Sequence, residues 1–174
     1  MPLETPRLRL RRMTEDDAPF VLELLNQPSF LRYIGDKGVR TLEDARQYVR
    51  TGPAASYERH GFGLYVVELK GDGTDARGAQ PLGINGLLRR DYLDAPDIGF
   101  AFLPQAWSRG YARESAEAVL AEGRERFGLR RVLAITSPDN EASIGLLARL
   151  GFRFERRVRP TPGEGEINVY ARED

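Results

Sequence analysis

With 174 residues the chain has the length of one domain, and its core needs no disulfide or metal staple. Its 26 basic and 26 acidic side chains cancel, which excludes the broad basic footprint of non-specific nucleic-acid binding and confines any anion site to a local feature. The absence of cysteine and the single histidine, His60, exclude a disulfide framework, a thiol nucleophile and a multi-histidine metal centre. No stretch approaches the ~20 apolar residues that span a bilayer, and MPLETPRLRLRR lacks the apolar core of a signal peptide. A cytoplasmic location follows as the expectation, with no membrane or nucleic-acid partner.

Residues 7–13, RLRLRRM, alternate leucine with arginine, the period of a strand with one wet face. Thr14 and Asp17 mark a helix start, and Phe20, Val21, Leu24 and Leu25 give that helix one apolar stripe, which Pro28 should end. PSFLRYIG reads as a short second helix whose aromatics form part of a lid. Thr41 and Asp44 open a third helix carrying Leu42, Ala45, Tyr48 and Val49, to be broken or kinked at Gly52 and Pro53 before ASYERH resumes. From residue 62 the period changes. FGLYVVELK is a strand, KGDGTDARGAQ a mobile glycine-rich turn, PLGINGLLRR the antiparallel partner, and DIGFAFLP a third strand, nearly continuous in hydrophobicity and hence central. Residues 110–128 read as a helix with Ala112, Ala116, Val119, Leu120 and Phe127 on one side, closed by Gly128. RVLAITSP is a buried strand, NEASIGLLARLG a helix ended by Gly151, and FRFERRVRP and EINVYARED two strands around a PGEG turn. With no repeats or linker-like tracts, the expectation is a single domain over 1–174. Its fold class is α/β, a mixed sheet of about seven strands with helices on both faces.

In QAWSRGYARESAE, residues 105–117, a strand hands over to a helix. A helix N-terminus offers roughly four unpaired amides and about half a positive charge, which suits phosphate. Gly110 and Ala112 leave the backbone approachable, and Arg109 and Arg113 add cations. Read alone, the stretch fits a turn glycine followed by an ordinary Arg113–Glu117 surface pair equally well. It contains neither the mononucleotide P-loop pattern nor the further glycines of a dinucleotide fingerprint.

Three blocks in order, ETPRLRLRRMTEDD, IGFAFLPQAWSRGYARESAEAVL and SPDNEASIGLLARLGFRFE, resemble the GNAT superfamily of N-acetyltransferases and within it the RimJ/RimL-type branch. The resemblance implies the GNAT-type fold and acetyl-coenzyme A (acetyl-CoA) as co-substrate, with no metal. It implies that the amides of Arg109, Gly110, Tyr111, Ala112 and Arg113 hold the pyrophosphate, and that the strand residues Phe100, Ala101, Phe102 and Leu103 bond the pantetheine. It also places Asn140 near the pantetheine and Ser143 near the sulfur. Two positions depart from the wider superfamily: Trp107 stands where Gln or Arg is common, and Leu147 where many members carry a tyrosine acid. Ser143 is then the candidate acid.

Acetyl transfer to an amine needs a neutral nucleophile, a donor for the oxyanion and a departing thiolate. The last is undemanding, since a thiol pKa of ~8.5 lies near neutrality. Neutralising an α-amine of pKa ~8 costs about 1.4 kcal/mol at pH 7, against about 4.6 for a lysine of pKa ~10.4. Candidate bases are Asp97, Asp91, Asp94, Glu68 and His60; Asp97 matches an acidic position of the RimJ/RimL-type branch, and a strand-edge carboxylate paired with an arginine is the competing reading. His60 reads better as a solvated loop residue. Phe30, Tyr33 and Ile34 are the expected acceptor-binding residues, with core packing the competing reading for Phe30 and Tyr33 at i, i+3; Arg153, Arg156, Arg157 and Arg159 would favour an acidic acceptor, though alternate strand positions send some of them to solvent. The expected activity is transfer from acetyl-CoA to a protein N-terminus or small metabolite by a monomer or homodimer. A non-catalytic acyl-CoA sensor or scaffold is the alternative.

Overall fold

The computed structural model describes residues 2–71 and 78–174. The glycine-rich turn expected over 70–80 falls largely on 72–77, outside the described residues.

Short-range chemistry sets the early elements. Alternating leucines and arginines form β2 (Leu8–Arg12), with Leu8 and Leu10 buried and Arg9 in solvent; the two-residue β1 (Leu3–Glu4) pairs with it. Thr14 N–H donates to Asp17 Oδ2 at 2.8 Å where a 3-10 turn leads into α1 (Ala18–Leu25). Asp44 N–H donates to Thr41 Oγ1 at 3.0 Å and Thr41 N–H to Asp44 Oδ2 at 3.2 Å, boxing the start of α3 (Leu42–Val49). Pro28 does not itself end α1, which stops at Leu25. It opens α2 (Pro28–Tyr33) at a position where a missing N–H leaves no bond unmade. The break expected at Gly52 and Pro53 takes the form of a π-helical turn, Arg50–Ala54, joining α3 to α4 (Ala55–His60); the wider turn accommodates the N–H that Pro53 lacks.

The sheet has eight strands in the order β1-β2-β3-β4-β5-β6-β8-β7. About seven were expected; β1 is too short to leave an alternation in the sequence. β3 (Leu64–Leu69), β4 (Gln80–Leu88) and β5 (Asp97–Phe102) form the antiparallel meander, with β5 inside the sheet. The chain then crosses through α5 (Tyr111–Glu125) to β6 (Arg131–Thr136), which runs parallel to β5. α6 (Glu141–Arg149) leads to β7 (Arg153–Val158) and β8 (Ile167–Glu173), and β8 inserts between β6 and β7.

Helices cover both faces, as the alternation requires. Leu8, Leu10, Tyr65, Val67, Leu87 and Ile98 pack under α5 with Ala116, Val119 and Leu120, and Leu147 of α6 joins them. Leu64, Val66 and Ile84 project from the opposite face onto Val21, Leu24 and Leu25 of α1 and Ala45 and Val49 of α3. Each such side chain contributes about 1.5–3 kcal/mol by leaving water. No helix of the described residues is long and apolar enough to cross a membrane.

Arg11 ties α1's approach to the sheet: its Nε donates to Glu68 Oε1 at 2.7 Å, and Nη1 and Nη2 to Asp17 at 2.9 and 2.7 Å. Burial pushes the Asp17 carboxyl up, but Arg11 and the Thr14 N–H outweigh it and hold the group below its ordinary value. A depressed native pKa gives stability that is complete above the unfolded value of about 3.9 and is lost as pH falls through the native one. Asp17→Asn should therefore cost about 1.5–3 kcal/mol at pH 7 in urea unfolding, with the gap from the parent protein closing toward pH 2.

Candidate active site

β5 and β6 share one register pair, Asp97 with Leu133, beside a bond from Leu133 N–H to Pro96 O at 2.9 Å. Parallel strands joined only at their beginnings part toward their ends. On its other edge β5 is paired with β4 from Asp97 to Phe102, and Leu103 N–H continues that ladder to Leu82 O at 2.9 Å. Alternation therefore turns the peptide groups of Phe100 and Phe102 into the gap. Neither N–H has a protein partner among the described residues, and Phe102 O accepts from the Trp107 indole at 3.0 Å. Side chains alternate as well: Ile98, Phe100 and Phe102 pack toward α5, whereas Ala101, with Gly99 and Asp97 in phase with it, faces the α1–α3 side.

The gap opens toward the start of α5. Ser108 and Gly110 both take left-handed φ values, 61° and 82°, a curl in which successive N–H groups converge as an anion-binding concavity. Glu114 N–H is the first to reach a helical acceptor, Gly110 O at 3.0 Å, and the amides of Arg109 to Arg113 have no protein acceptor among the described residues. Gly110 is required here, because a Cβ would be strained at this φ and would stand 3.2 Å from Arg7 Nη2. Arg7 braces the turn: Nη1 donates to Arg109 O at 2.9 Å, Nε to Glu114 Oε1 at 2.8 Å, and the guanidinium lies 4.6 Å from the Tyr111 ring centroid. The flanking cations are engaged elsewhere. Arg109 Nε turns back to Gln105 O at 3.2 Å, and Arg113 pairs with Glu117 at 3.1 Å. The positive character of the turn thus resides in its amides and the helix dipole.

Across the gap, Asn140 Oδ1 accepts from Ser143 N–H at 3.3 Å and caps α6. Ser143 is half-buried and its hydroxyl has no protein partner among the described residues. Leu147 is buried in the core. A cleft of about 1220 Å³ joins these parts, running from Gly110, Tyr111, Ala112 and Arg113 past Phe100 and Ser143 to Phe30, Tyr33 and Ile34. Phe30 is buried, Tyr33 half-buried and Ile34 exposed. Leu103 turns into the core, and Arg109 stands outside the cleft lining.

Asp97 sits on the cleft wall with 0% of its surface exposed. Arg90 Nε donates to its two oxygens at 3.2 and 3.1 Å. Burial pushes the carboxyl up, and Arg90 offsets this only in part. The other carboxylates weighed as bases lie away from the cleft: Glu68 pairs with Arg11, Asp94 with Arg131, and Asp91 is exposed. His60 lines the cleft, its ring stacked 5.5 Å from Phe62. The arginines of 153–159 do not line it. β7 is the edge strand, Arg156 meets Glu155 and Asp94, and Arg159 meets Glu166. The cations that do line the cleft are Lys37, Arg59, Arg89 and Arg90, with Arg113 in the first turn of α5 and Arg149 at the end of α6. The first four escaped sequence reasoning because the pairing of Arg90 with Asp97 depends on the β4–β5 register; the LLRR run ending at Arg90 was the one signal. Among the described residues no group of three or more His, Cys, Asp or Glu could hold a metal ion.

Comparison with known proteins accords with this geometry. Residues 7–153 match the family model described as Acetyltransferase (GNAT) domain. An uncharacterized N-acetyltransferase of Bacillus subtilis, YoaA, is 31% identical over 90% of this chain and 85% of its own. The FsC-acetyl coenzyme A-N(2)-transacetylase of Aspergillus fumigatus is 26% identical over 95% of this chain and 73% of its own. Among solved structures, a GNAT-family acetyltransferase from Bacillus anthracis superposes with a TM-score of 0.79 at 26% identity, covering 99% and 98% of the two chains. RimL, a ribosomal L7/L12 alpha-N-protein acetyltransferase solved with coenzyme A, has the same fold, with a TM-score of 0.80 at 20% identity over 99% and 98%. The chain belongs to the GNAT acetyltransferase family and is an acetyl-CoA-dependent acyltransferase.

Proposed function

We propose that the chain, acting as a single domain over 1–174, transfers acetyl from acetyl-CoA to the primary amine of a protein N-terminus or small metabolite, directly within a ternary complex. The observation that carries this is the through-going cleft: unpaired amides form one mouth, an unpaired strand edge its middle, and a buried carboxylate with an apolar groove the other end. The residues present fit the acyl carrier. The Arg109–Arg113 amides receive its diphosphate, the Phe100 and Phe102 edge bonds its amide-bearing arm, and Asn140 stands beside that arm. Bound acetyl-CoA supplies the thioester carbonyl.

The chain's own groups do the rest. A strand N–H facing the gap donates to the carbonyl oxygen as charge develops there, the kind of preorganised donor that often gives the largest single rate contribution. Asp97 draws the proton from the incoming ammonium, directly or through water, and Arg90 holds that carboxylate in place. A buried carboxyl with a raised pKa is a stronger base than a solvated one, and an α-amine asks little of it. Ser143 donates to the departing sulfur. The absence of cysteine supports direct transfer over a thioester relay.

Acetyl-CoA at a hundredfold excess over its Kd should stabilise the protein by about 2.7 kcal/mol, roughly 5–10 °C in Tm, and an amine acceptor should release free thiol. No thermal shift, together with no thiol release across peptides, amino acids and polyamines, overturns the reading. Gly110→Val should remove most of that shift without unfolding the protein, read by calorimetry with and without acetyl-CoA. Asp97→Asn should lower kcat/KM by about a hundredfold or more, whereas Ser143→Ala should cost about tenfold, since a thiol of pKa ~8.5 departs with little help. Wild-type kinetics in both variants would remove these two roles.

A further inference from the structure

Most arginines of this chain have a carboxylate partner, among them Arg11, Arg40, Arg46, Arg50, Arg113 and Arg131. The acceptor end of the cleft breaks that habit. Lys37, Arg59, Arg89 and Arg90 all line it, and the acid that joins them from the same wall is Asp97; the other acids of the lining, Asp139 and Glu141, stand at the start of α6 beside Asn140. Lys37 has no carboxylate partner among the described residues. Lys37 is exposed as a residue, but the cleft wall takes water from around its ammonium, and that desolvation, then the like charge of Arg90, pulls its pKa down; Arg90 itself is paired with Asp97. Arg90 is pinned through Nε to Asp97, and its guanidinium also lies within side-chain hydrogen-bonding reach of Tyr92. Tyr48 lines the same space, and burial pushes its hydroxyl pKa up, which keeps it a proton donor.

A guanidinium edge, an ammonium and a phenol converging on one cavity wall form a donor set for an anion. Two cations that share the single carboxylate of Asp97 still repel one another, so an anion arriving there gains attraction and relieves that repulsion. Asp97, joined to the same guanidinium, is the adjacent point of opposite sign. We infer that this end of the cleft recognises the anionic group of the acceptor, and that the substrate is a small zwitterionic amine with a carboxylate or phosphonate on the carbon next to the nitrogen.

The arrangement selects for a short spacing, because Arg90 binds Asp97 through Nε, so one guanidinium joins the acid that faces the ammonium to the cations that face the anion. The ammonium of the acceptor then lies toward Asp97 and its anion toward Lys37 and Arg90. A peptide N-terminus presents an amide where this wall calls for a charge, and a polyamine is repelled. The apolar groove at Phe30, Ile34 and Leu88 receives the remaining substituent. This inference rests on the amine acetylation proposed above and narrows it.

The test compares acetylation of the twenty amino acids as free acids, as their α-amides and as 1-aminoalkylphosphonates, with short peptides and cadaverine alongside, read by thiol release and mass spectrometry. The best free acid or phosphonate should exceed its matched amide by at least about tenfold in kcat/KM. Whichever anion wins identifies the source. Lys37→Ala should raise KM for that acceptor by about 10- to 100-fold, the value of a charged hydrogen bond, and collapse the preference over the amide. Lys37→Arg should restore it, and Lys37→Glu should shift preference toward cadaverine. Amides or peptides used as well as the free acids, or a preference insensitive to Lys37→Ala and Lys37→Glu, would overturn the inference and leave amine acetylation standing. A thermal shift by acetyl-CoA with no acceptor of any class would overturn both.

Discussion

Between β5 and β6 the backbone stops pairing after Asp97 and Leu133, in the middle of an otherwise continuous sheet. An unpaired peptide group away from water costs about 1–3 kcal/mol, so a fold that leaves a strand edge bare inside its sheet needs something else to bond it. The parallel geometry determines where that happens. Both strands point their ends at the same mouth, α5 begins there, and the amides of its first turn continue the row of unfilled donors begun by Phe100 and Phe102. The arm and diphosphate of the proposed acyl carrier suit such a row of donors.

The two faces of the sheet then acquire different duties. α5 and α6 seal one face with a large apolar cluster that fixes where the turn at Gly110 stands. The α1–α3 face holds a second cluster but leaves a groove at Phe30, Tyr33 and Ile34. Because β5 lies between them, residues of alternate phase on one strand address both compartments. Phe100 leans toward the α5 side and Asp97 toward the α1–α3 side, about 10 Å of strand apart. Charge follows the same division: neutral dipoles at the diphosphate mouth, formal cations at the acceptor end.

Much of this was readable in the residues. The leucine–arginine alternation of β2, the Thr14 and Thr41 helix starts, and the glycine at the head of α5 report local physics, and each stands where local physics puts it. The blocks carrying the family resemblance indicated the cleft's carrier side, and Gly110, Ala112, Asn140 and Ser143 do line one cavity. What escaped depends on register and on distance along the chain. Nothing local in FRFERRVRP tells that β8 slips inside β7, which puts its arginines on an edge strand away from the cleft lining, with Arg156 meeting Glu155 and Asp94 and Arg159 meeting Glu166. Arg90 meets Asp97 only once Leu88 is opposite Asp97 in the ladder, and Lys37 reaches the same wall from a loop without periodicity. The Arg109 side chain, expected as an added cation, turns back to Gln105 O instead, while its amide stays without a protein acceptor among the described residues.

Arg7 links the beginning of the chain to a turn more than a hundred positions later, through Arg109 O, Glu114 and the Tyr111 ring. During synthesis on the ribosome, Arg7 emerges long before the segment it steadies, and the turn at Gly110 has no brace until residue 114 has cleared the exit tunnel and both partners have found each other. A chain cut short of residue 114 therefore lacks the Arg7–Glu114 pair that steadies the Gly110 turn.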